Sequence, residues 1–543
     1  MLLLYNARIY TLDPLRPNVT ALAIEKGCVL AVGNDQDIRS RYGGRDDRQA
    51  GDQAHDLGGR AVIPGLIDAH IHLETYALGL QKVDCETGTR AECLERVAER
   101  AHSTPPGGWI LGHGWNQNNW LEGFGTATGL DRAAGEQPVY LTAKSLHAAW
   151  ANSAALRLAG ISSATPDPPG GRLGRDESGR PDGILYESAM QLVELAVPEP
   201  SVEQVVEAIR LAQPELWRMG LTGVHDFDRR RCFSALQSLR QHGELRLRVV
   251  KSIPLEDLPH AAALGLRSGF GDDFLRIGHV KAFADGALGP QTAAMLQPYQ
   301  GDPQNRGMLL LDAEELFEHG RLAVESGLGL AVHAIGDRAN HEVLNAFEQI
   351  RRFEREHLGE PHASRQASNR LRHRIEHVQL LHPDDVRRLA ELEVVASMQP
   401  IHATSDMLMA DRYWGDRAAL AYAWQTQLEH GALLAFGSDA PVESPNPFWG
   451  LHAAVTRRRA DGTPGPEGWY PEQRLSIEAA IHAYTAGPAY TAGLEDRLGR
   501  LAPGCLADLL VMDTDPFECE QEQLREIRPL ATMINGEWVV NEL

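Results

Sequence analysis

The 543-residue sequence predicts a mixed α/β protein built on a (β/α)8 TIM barrel, and three observations lead to this prediction. Short apolar segments recur along the middle of the chain, and most are followed by a segment with helical periodicity. Strand-like runs separated by turn residues lie at both ends. A long stretch separates the first two apolar segments. We therefore expect a barrel, a small β-sandwich domain built from both termini, and a long insertion after barrel strand 1.

The predicted barrel strands are eight apolar segments, and several end in a histidine, a lysine or an aspartate. In chain order they lie within AVIPGLIDAHIHLE (61–74), GLTGVHDF (220–227), LRLRVVKSI (245–253), RIGHVKAFADG (276–286), GLAVHAIGD (329–337), RHRIEHVQL (372–380), EVVASMQP (393–400) and ALLAFGSDAP (432–441).

The domain boundaries follow from this pattern. Residues 1–60 together with 495–543 are expected to form the small β-sandwich domain, and residues 61–494 the (β/α)8 barrel. Residues 75–215 contain the strand-like segments GGWILGHGW and QPVYLTAKS and are predicted to be an insertion. Because long connections after barrel strands gather at the catalytic face, we expect this insertion to cap the barrel mouth.

Composition and charge exclude several classes of partner. The chain carries 52 Lys and Arg against 74 Asp and Glu, a formal net charge of −22 without a long basic run. Nucleic acid and anionic membranes are therefore not expected as partners.

The N-terminus has no basic signal-peptide region and no long apolar span follows, which predicts a cytoplasmic protein. The six cysteines are scattered without CxxC spacing, so neither a disulfide framework nor a thiolate zinc site is indicated.

The strongest functional signal is a set of polar residues at the predicted strand ends. In a strand, residues i and i+2 share a face, so the HxH pair at the end of the first segment would project side by side. Active sites of barrels lie at the C-terminal ends of the strands, where the other groups of the set also fall. Histidine and carboxylate ligands suit Zn²⁺, with Fe²⁺, Mn²⁺ or Ni²⁺ as alternatives. The candidate metal ligands are His70, His72, Lys281, His333, His377 and Asp439.

These residues occur in recognisable motifs. HxH follows a Pro-Gly-Leu-Ile-Asp-Ala run, the lysine lies in HVKAFADGALG, two further histidines lie in VHAIGD and RIEHVQ, and the aspartate lies in GSDAPV. The set resembles the amidohydrolase superfamily, and specifically its YtcJ-like (amidohydrolase-3) branch, which includes N-substituted formamide deformylases. The resemblance spans nearly the whole chain, including GWNQNNW (114–120) and SLHAAWANSAAL (145–156) in the insertion.

The resemblance implies a particular ligand arrangement. A charged lysine has a reference pKa of about 10.4 and no lone pair, so Lys281 would have to be N6-carboxylated to bridge two metals. By resemblance, His70, His72 and Asp439 would hold one metal, and His333 and His377 would hold another. One metal or two remains open at this point. The alternative for Lys281 is an ion pair with Asp285.

The expected reaction is hydrolysis of a C–N bond in a small-molecule amide, most simply a linear amide or an N-substituted formamide, by metal-activated hydroxide. Asp439 is the expected general base, with a role as ligand only as the alternative. The same site could instead open a cyclic amide or deaminate a ring. A non-catalytic scaffold that kept the barrel is a third hypothesis, although the ligand positions are all filled. Pairing into a homodimer is expected only by analogy with similar barrels.

Weaker candidates lie in the insertion and in loops past the strand ends. His147 is expected to polarise the substrate oxygen as a catalytic residue, and packing within the loop is the alternative. Glu376 adjoins His377 and is predicted to face the opposite side of its strand, which favours a role in supporting a ligand or the fold over a role as a ligand. The candidate substrate-binding residues are His113, Trp115, Asp285, Arg338, Gln399 and His402.

Overall fold

The computed structural model describes residues 1–42, 53–117, 120–144, 147–357 and 371–543. These residues form two compact units, one of residues 1–76 and 209–543 and the other of residues 77–208. Residues 118–119 of the motif GWNQNNW and residues 145–146 of SLHAAWANSAAL lie outside the described residues.

Both ends of the chain contribute strands to two sheets in the first unit. Within the described residues, a four-stranded sheet consists of Leu2–Tyr5, Ala21–Glu25, Cys28–Gly33 and Gln53–Asp56. A six-stranded sheet over the same ranges consists of Arg8–Tyr10, Asn18–Val19, Ala61–Pro64, Leu509–Met512, Ala531–Ile534 and Glu537–Asn541.

The two sheets share one apolar core. Leu4 and Ile24 from the four-stranded sheet lie in the same buried cluster as Val62, Val511 and Met533 from the six-stranded sheet. Side chains from the inner faces of two packed sheets form such a core in a β-sandwich. The predicted sandwich from both termini is therefore confirmed.

The barrel is formed by parallel strands that pair in chain order. The first and last strands meet beyond the end of the last one, where Asp439 N donates to His70 O over 2.7 Å and His72 N to Ala440 O over 2.9 Å. Parallel strands covered on both faces read as continuous apolar runs, which is why the sequence located each of them. The strands, taken from the described part of the chain, are Leu66–Ile71, Leu221–Asp226, Arg248–Pro254, Leu275–Phe283, Gly329–Ala334, Arg374–His377, Val395–Met398 and Leu434–Phe436.

The first barrel strand begins later than its apolar run. Ala61–Pro64 pairs with the terminal strands Arg8–Tyr10 and Leu509–Met512, and the barrel strand starts only at Leu66. A Cβ at Gly65 would lie 2.3 Å from Cγ2 of Thr222, so the connection requires glycine. A domain boundary at residue 60 therefore falls before a strand of the terminal sheet, because the run is equally apolar on both sides of the turn.

Helices lie between and around these strands in the first unit, and two of them, Leu73–Gly79 and Val202–Arg218, extend past its boundaries in the chain. Ala313–Glu325 shows how the sequence defines one of them, because Asp312 and Glu315 form a reciprocal capping box at its start. Among the described helices, none combines the length and the apolar character that a membrane span requires. The α-helices are Asp35–Tyr42, Leu73–Gly79, Val202–Arg218, Arg230–Gln241, Leu258–Ala263, Ala313–Glu325, Asp337–His357, Arg388–Glu391, Pro400–Trp414, Trp424–Glu429, Pro447–Thr456, Ile477–Ala483 and Ala486–Thr491. Short 3₁₀ helices span Leu255–Asp257, Pro383–Asp385, Gly415–Leu420, Pro471–Gln473 and Gln521–Glu526.

The second unit has its own mixed sheet and its own core. In sheet order, the strands among its described residues are Gly171–Arg175, Pro181–Glu187, Ala148–Ala151, Val139–Ala143, Ile110–Trp115 and Val83–Asp84. Its helices are Arg90–Ser103, Ala127–Ala134, Ser153–Leu158 and Met190–Glu194. Three tryptophans occupy the core, namely Trp115, Trp120 and Trp150.

Candidate metal centre

Histidines from three barrel strands meet at the C-terminal end of the barrel. The ring centroids of His70 and His72 lie 5.8 Å apart, and those of His70 and His377 lie 5.0 Å apart. His333 lies 4.5 Å from His377 by the same measure. The four imidazoles predicted as metal ligands therefore form one cluster.

Asp439 joins this cluster from the end of the eighth strand. Its Oδ1 atom lies 3.5 Å from Nε2 of His70 and 3.4 Å from Nε2 of His72. Gly437 permits this approach, because a Cβ there would lie 2.4 Å from the backbone nitrogen of His70. Asp439 itself has φ +61°, a conformation that non-glycine residues rarely adopt and that is concentrated at functional sites.

The donor set fits a divalent cation. One ligand atom from each of His70, His72 and Asp439 lies within 4.8 Å of the others, and the same holds for His377, His402 and Asp439. Burial lowers the pKa of His70 to about 4, so its imidazole is neutral and can offer a lone pair. Although burial opposes ionisation, the surrounding histidines hold the pKa of Asp439 well below its usual range. The neutral His70 beside the ionised Asp439 matches the protonation states that metal binding needs. Although burial opposes it, the contacts with Asp228 and Asp439 raise the pKa of His72 to about 9, so this ring must release a proton when a cation binds.

Glu376 supports His70 from inside the barrel. Its Oε2 atom accepts the Nδ1–H of His70 over 2.6 Å, and it is paired with the buried Arg374. Glu376 therefore faces the site, contrary to the expected strand alternation, but it supports a candidate ligand rather than being one, as predicted. His377 and Val378 have φ +75° and +45°, and this departure from extended geometry turns His377 inward as well.

The remaining two histidines present different nitrogens. Nδ1 of His377 lies 2.8 Å from Oε1 of Gln399, which leaves Nε2 to face the cluster. Nε2 of His333 lies 2.9 Å from the carbonyl oxygen of Gly286, so its Nδ1 is the available nitrogen. Burial lowers the pKa of His333 to about 3, which keeps this ring neutral.

Lys281 is buried between aromatic rings. Its Nζ atom lies 4.7 Å from the ring centroid of Phe227 and 4.9 Å from that of Phe283. Burial lowers the pKa of Lys281 to about 8, which increases the fraction of neutral amine near neutral pH. A neutral amine is the form that can react with CO₂.

The alternative partner of Lys281 is engaged elsewhere. The carboxylate of Asp285 accepts the backbone N–H groups of Ala294, Ile335 and Gly336 over 2.8–3.0 Å. Among the ion pairs of the described residues, none joins Lys281 to Asp285. Because Asp285 is 1% exposed and holds loop backbone, its predicted role in binding substrate is not supported.

A sequence model of the amidohydrolase family matches residues 53–540. The chain belongs to this amidohydrolase family. It is 33% identical to the putative amidohydrolase YtcJ of Bacillus subtilis (strain 168), over 98% of both chains. It is 29% identical to N-substituted formamide deformylase of Arthrobacter pascens, over 98% of this chain and 97% of that protein.

The fold gives the same relationship. An uncharacterized metal-dependent hydrolase from Pyrococcus furiosus has a TM-score of 0.76 and 30% identity, with 95% of this chain and 100% of that chain covered. The predicted relationship of this amidohydrolase to the YtcJ-like branch is confirmed, as is its fold class. Membership of the amidohydrolase family and the similarity to the Pyrococcus furiosus structure support metal-dependent hydrolysis.

Three other candidates of the first unit lie near or beyond the strand ends of this amidohydrolase. Gln399 is 1% exposed and its carbonyl group contacts His377, so it orients a candidate ligand. His402 is 6% exposed, and its Nε2 atom lies 3.8 Å from Oδ2 of Asp439. Arg338 is half-buried at the start of Asp337–His357, where its backbone nitrogen donates to Ala294 and Asp337.

The candidates from the insertion differ among themselves. The ring of Trp115 is fully buried, and its Nε1–H donates to the carbonyl oxygen of Leu141 over 2.8 Å. Trp115 is therefore a core residue of the second unit, and its predicted role in substrate binding is wrong. His113 is exposed and contacts Thr142 through Nδ1 over 2.8 Å, while Nδ1 of His147 lies 3.0 Å from the carboxylate of Glu187.

Sequence reasoning missed two residues at the end of the second barrel strand. Phe227 stacks on His70 with ring centroids 4.1 Å apart. Oδ1 of Asp228 lies 3.3 Å from Nδ1 of His72. Their position just past a barrel strand was the available signal, because every other group of the site shares it.

Proposed function

We propose that this amidohydrolase cleaves an acyclic C–N bond in a small-molecule amide, most simply an N-substituted formamide. The observation that carries the proposal is the placement of Asp439 Oδ1 within 3.5 Å of Nε2 of both His70 and His72. The similarity to a protein named N-substituted formamide deformylase supports the substrate class.

The candidate ligands divide into two groups. His70, His72 and Asp439 would hold one divalent cation, and His333 and His377 a second. A carboxylated Lys281 would bridge the two positions. Zn²⁺ suits this mixture of imidazole and carboxylate donors best, with Fe²⁺, Mn²⁺ or Ni²⁺ as alternatives. A bound cation of this kind lowers the pKa of a water molecule from 15.7 to about 7 and polarises a carbonyl oxygen.

Asp439 is the proposed proton carrier. Its carboxylate accepts a proton from the attacking water as the new C–O bond forms at the amide carbon. It returns that proton to the amide nitrogen as the C–N bond breaks, so that the amine leaves neutral. The products are a carboxylic acid, or formic acid from a formamide, and an amine.

The other residues keep this carboxylate and its neighbours in place. Glu376 and Gln399 accept hydrogen bonds from His70 and His377 and thereby hold the imidazoles in one orientation. Phe227 covers one face of His70 and excludes water from that side. Such support restricts the reacting groups to one geometry before substrate arrives.

The test combines metal analysis with a substrate panel. The purified protein is expected to hold transition metal, and to release amine from N-substituted formamides or acylated amines. A metal content below about 0.2 equivalents per chain, with no uptake after addition of Zn²⁺ and bicarbonate, would overturn the proposal. Ring opening of cyclic amides, or ammonia release from a ring, without amine release from acyclic amides would select the alternative reactions on the same site.

A further inference from the structure

Two carboxylates at the end of the second barrel strand hold the chain that follows His72. Oδ1 of Asp226 accepts the backbone N–H of Leu73 over 2.9 Å, and Oδ2 of Asp228 accepts that of Glu74 over 2.6 Å. These are the first backbone groups after the HxH pair. The end of the first barrel strand is therefore fixed by the strand beside it.

Asp228 makes an additional contact with the imidazole itself. Its Oδ1 atom lies 3.3 Å from Nδ1 of His72, while Nε2 of the same ring lies 3.4 Å from Oδ1 of Asp439. When Nδ1–H donates to Asp228, the lone pair of His72 is on Nε2, on the side of the other candidate ligands. We propose that Asp228 is a positioning residue that selects this tautomer and ring orientation of His72 for metal binding.

The carboxylate is held independently of His72. Lys251 donates to the backbone carbonyl oxygen of Asp228 and pairs with Oδ2 of Asp226 over 2.8 Å. The hydroxyl of Thr75 donates to Oδ1 of Asp228 over 3.2 Å. Because a lysine on the third barrel strand and the start of the helix Leu73–Gly79 fix Asp228, it can orient His72 rather than follow it.

A carboxylate that accepts the second N–H of a ligating histidine fixes the ring and raises its basicity, and loss of such a partner typically weakens metal binding about 10- to 100-fold. The structure thus assigns to Asp228 a role that acts through His72. This inference rests on the proposed function, since it needs His72 to be a metal ligand.

The experiment is a double-mutant cycle on zinc affinity, measured by competition with a chelator. D228N keeps one carbonyl oxygen for the N–H of Glu74 but replaces the carboxylate at His72. It is expected to weaken zinc binding about 10- to 100-fold. H72A should weaken binding by itself, and H72A/D228N should bind zinc no more weakly than H72A alone.

D272N is the matched control, because Asp272 also accepts backbone N–H groups, those of Phe274 and Leu275, but lies exposed before the fourth barrel strand and away from His72. It should keep wild-type zinc affinity. Wild-type affinity in D228N, or an equal loss in the presence and absence of His72, would overturn the inference. If H72A keeps wild-type affinity, the proposed ligand set fails instead. Should D228N not fold, D228E shifts the carboxylate by one methylene and is expected to weaken zinc binding only when His72 is present.

Discussion

Nε2 of His402 lies 3.8 Å from Oδ2 of Asp439, whereas Oδ1 of the same carboxylate faces the HxH pair. Among the described residues, this buried Nε2 atom has no hydrogen-bond partner. Buried polar groups without a partner are rare in folded proteins and call for an explanation. The arrangement separates the two oxygens of Asp439, one toward the candidate ligands and one toward His402, which is a predicted substrate-binding residue.

We expect H402A to lower kcat about 100-fold, a loss typical of removing one hydrogen-bond donor to a developing oxyanion. Metal content should stay at the wild-type level, because the predicted role of His402 is to contact substrate and not to bind the metal. Parallel kinetics and metal analysis check this, with H430A at an exposed histidine as control. Loss of metal in H402A would show that His402 is instead a ligand beside His377 and Asp439.

Asp439 should be far more important for turnover than for folding. D439N keeps an oxygen that can face the cation but cannot carry a proton, so kcat per bound metal should fall about 100- to 10,000-fold. Steady-state kinetics on metal-loaded protein measure the effect, and thermal melting serves as the control for folding. Turnover within a few fold of wild type at equal metal content would reduce Asp439 to a ligand.

Carboxylation of Lys281 can be tested through its dependence on bicarbonate. Metal uptake by metal-free wild-type protein should increase with added bicarbonate, because the neutral amine must react with CO₂ before it can supply two oxygens that bridge two metals. K281M should take up less metal and show no such dependence. Intact mass measured under gentle conditions should show one added CO₂ in the wild type alone. Equal metal content and activity in K281M would contradict the bridging role.

The strands and the groups at their ends were predictable because each buried parallel strand is an apolar run that stops at a polar residue. The role of Asp228 was not, since a carboxylate after a strand has many uses and only the fold brings it to His72. Glu376 and His377 both face the site because φ +75° at His377 breaks the strand alternation, and the sequence does not reveal this departure. Trp115 shows the same limit, because an aromatic motif does not specify whether its ring is in a core or a pocket.

Arg374, which lies inside the barrel beneath the histidine cluster, should be required for the stability of the fold. Its side chain and that of Glu376 are fully buried and paired, and Arg374 holds the pKa of Glu376 well below its usual range although burial opposes this. R374M would remove the guanidinium that pairs with this buried carboxylate, at a cost of about 3–5 kcal/mol. Melting of the metal-free protein checks this, with R321M at an exposed pair with Glu325 as control. Equal melting temperatures for the two variants would contradict the prediction.

Glu354 provides a pH-dependent contribution to stability away from the cluster. Its carboxylate lies 3.1 Å from Nε2 of His373 and 2.7 Å from Nη1 of Arg351. Burial by itself would raise the pKa of Glu354, but these two partners lower it from 4.5 to about 2.

A group whose pKa is lower in the folded state stabilises the protein above its unfolded pKa, and this stabilisation is lost as pH falls through the folded value. Glu354 should thus contribute roughly 3 kcal/mol at pH 6, decreasing between about pH 4.5 and pH 2. The difference in free energy of unfolding between wild type and E354Q, measured at several pH values, should shrink over this range. A difference that stays constant from pH 6 to pH 3 would show that the ionisation of Glu354 does not stabilise the fold.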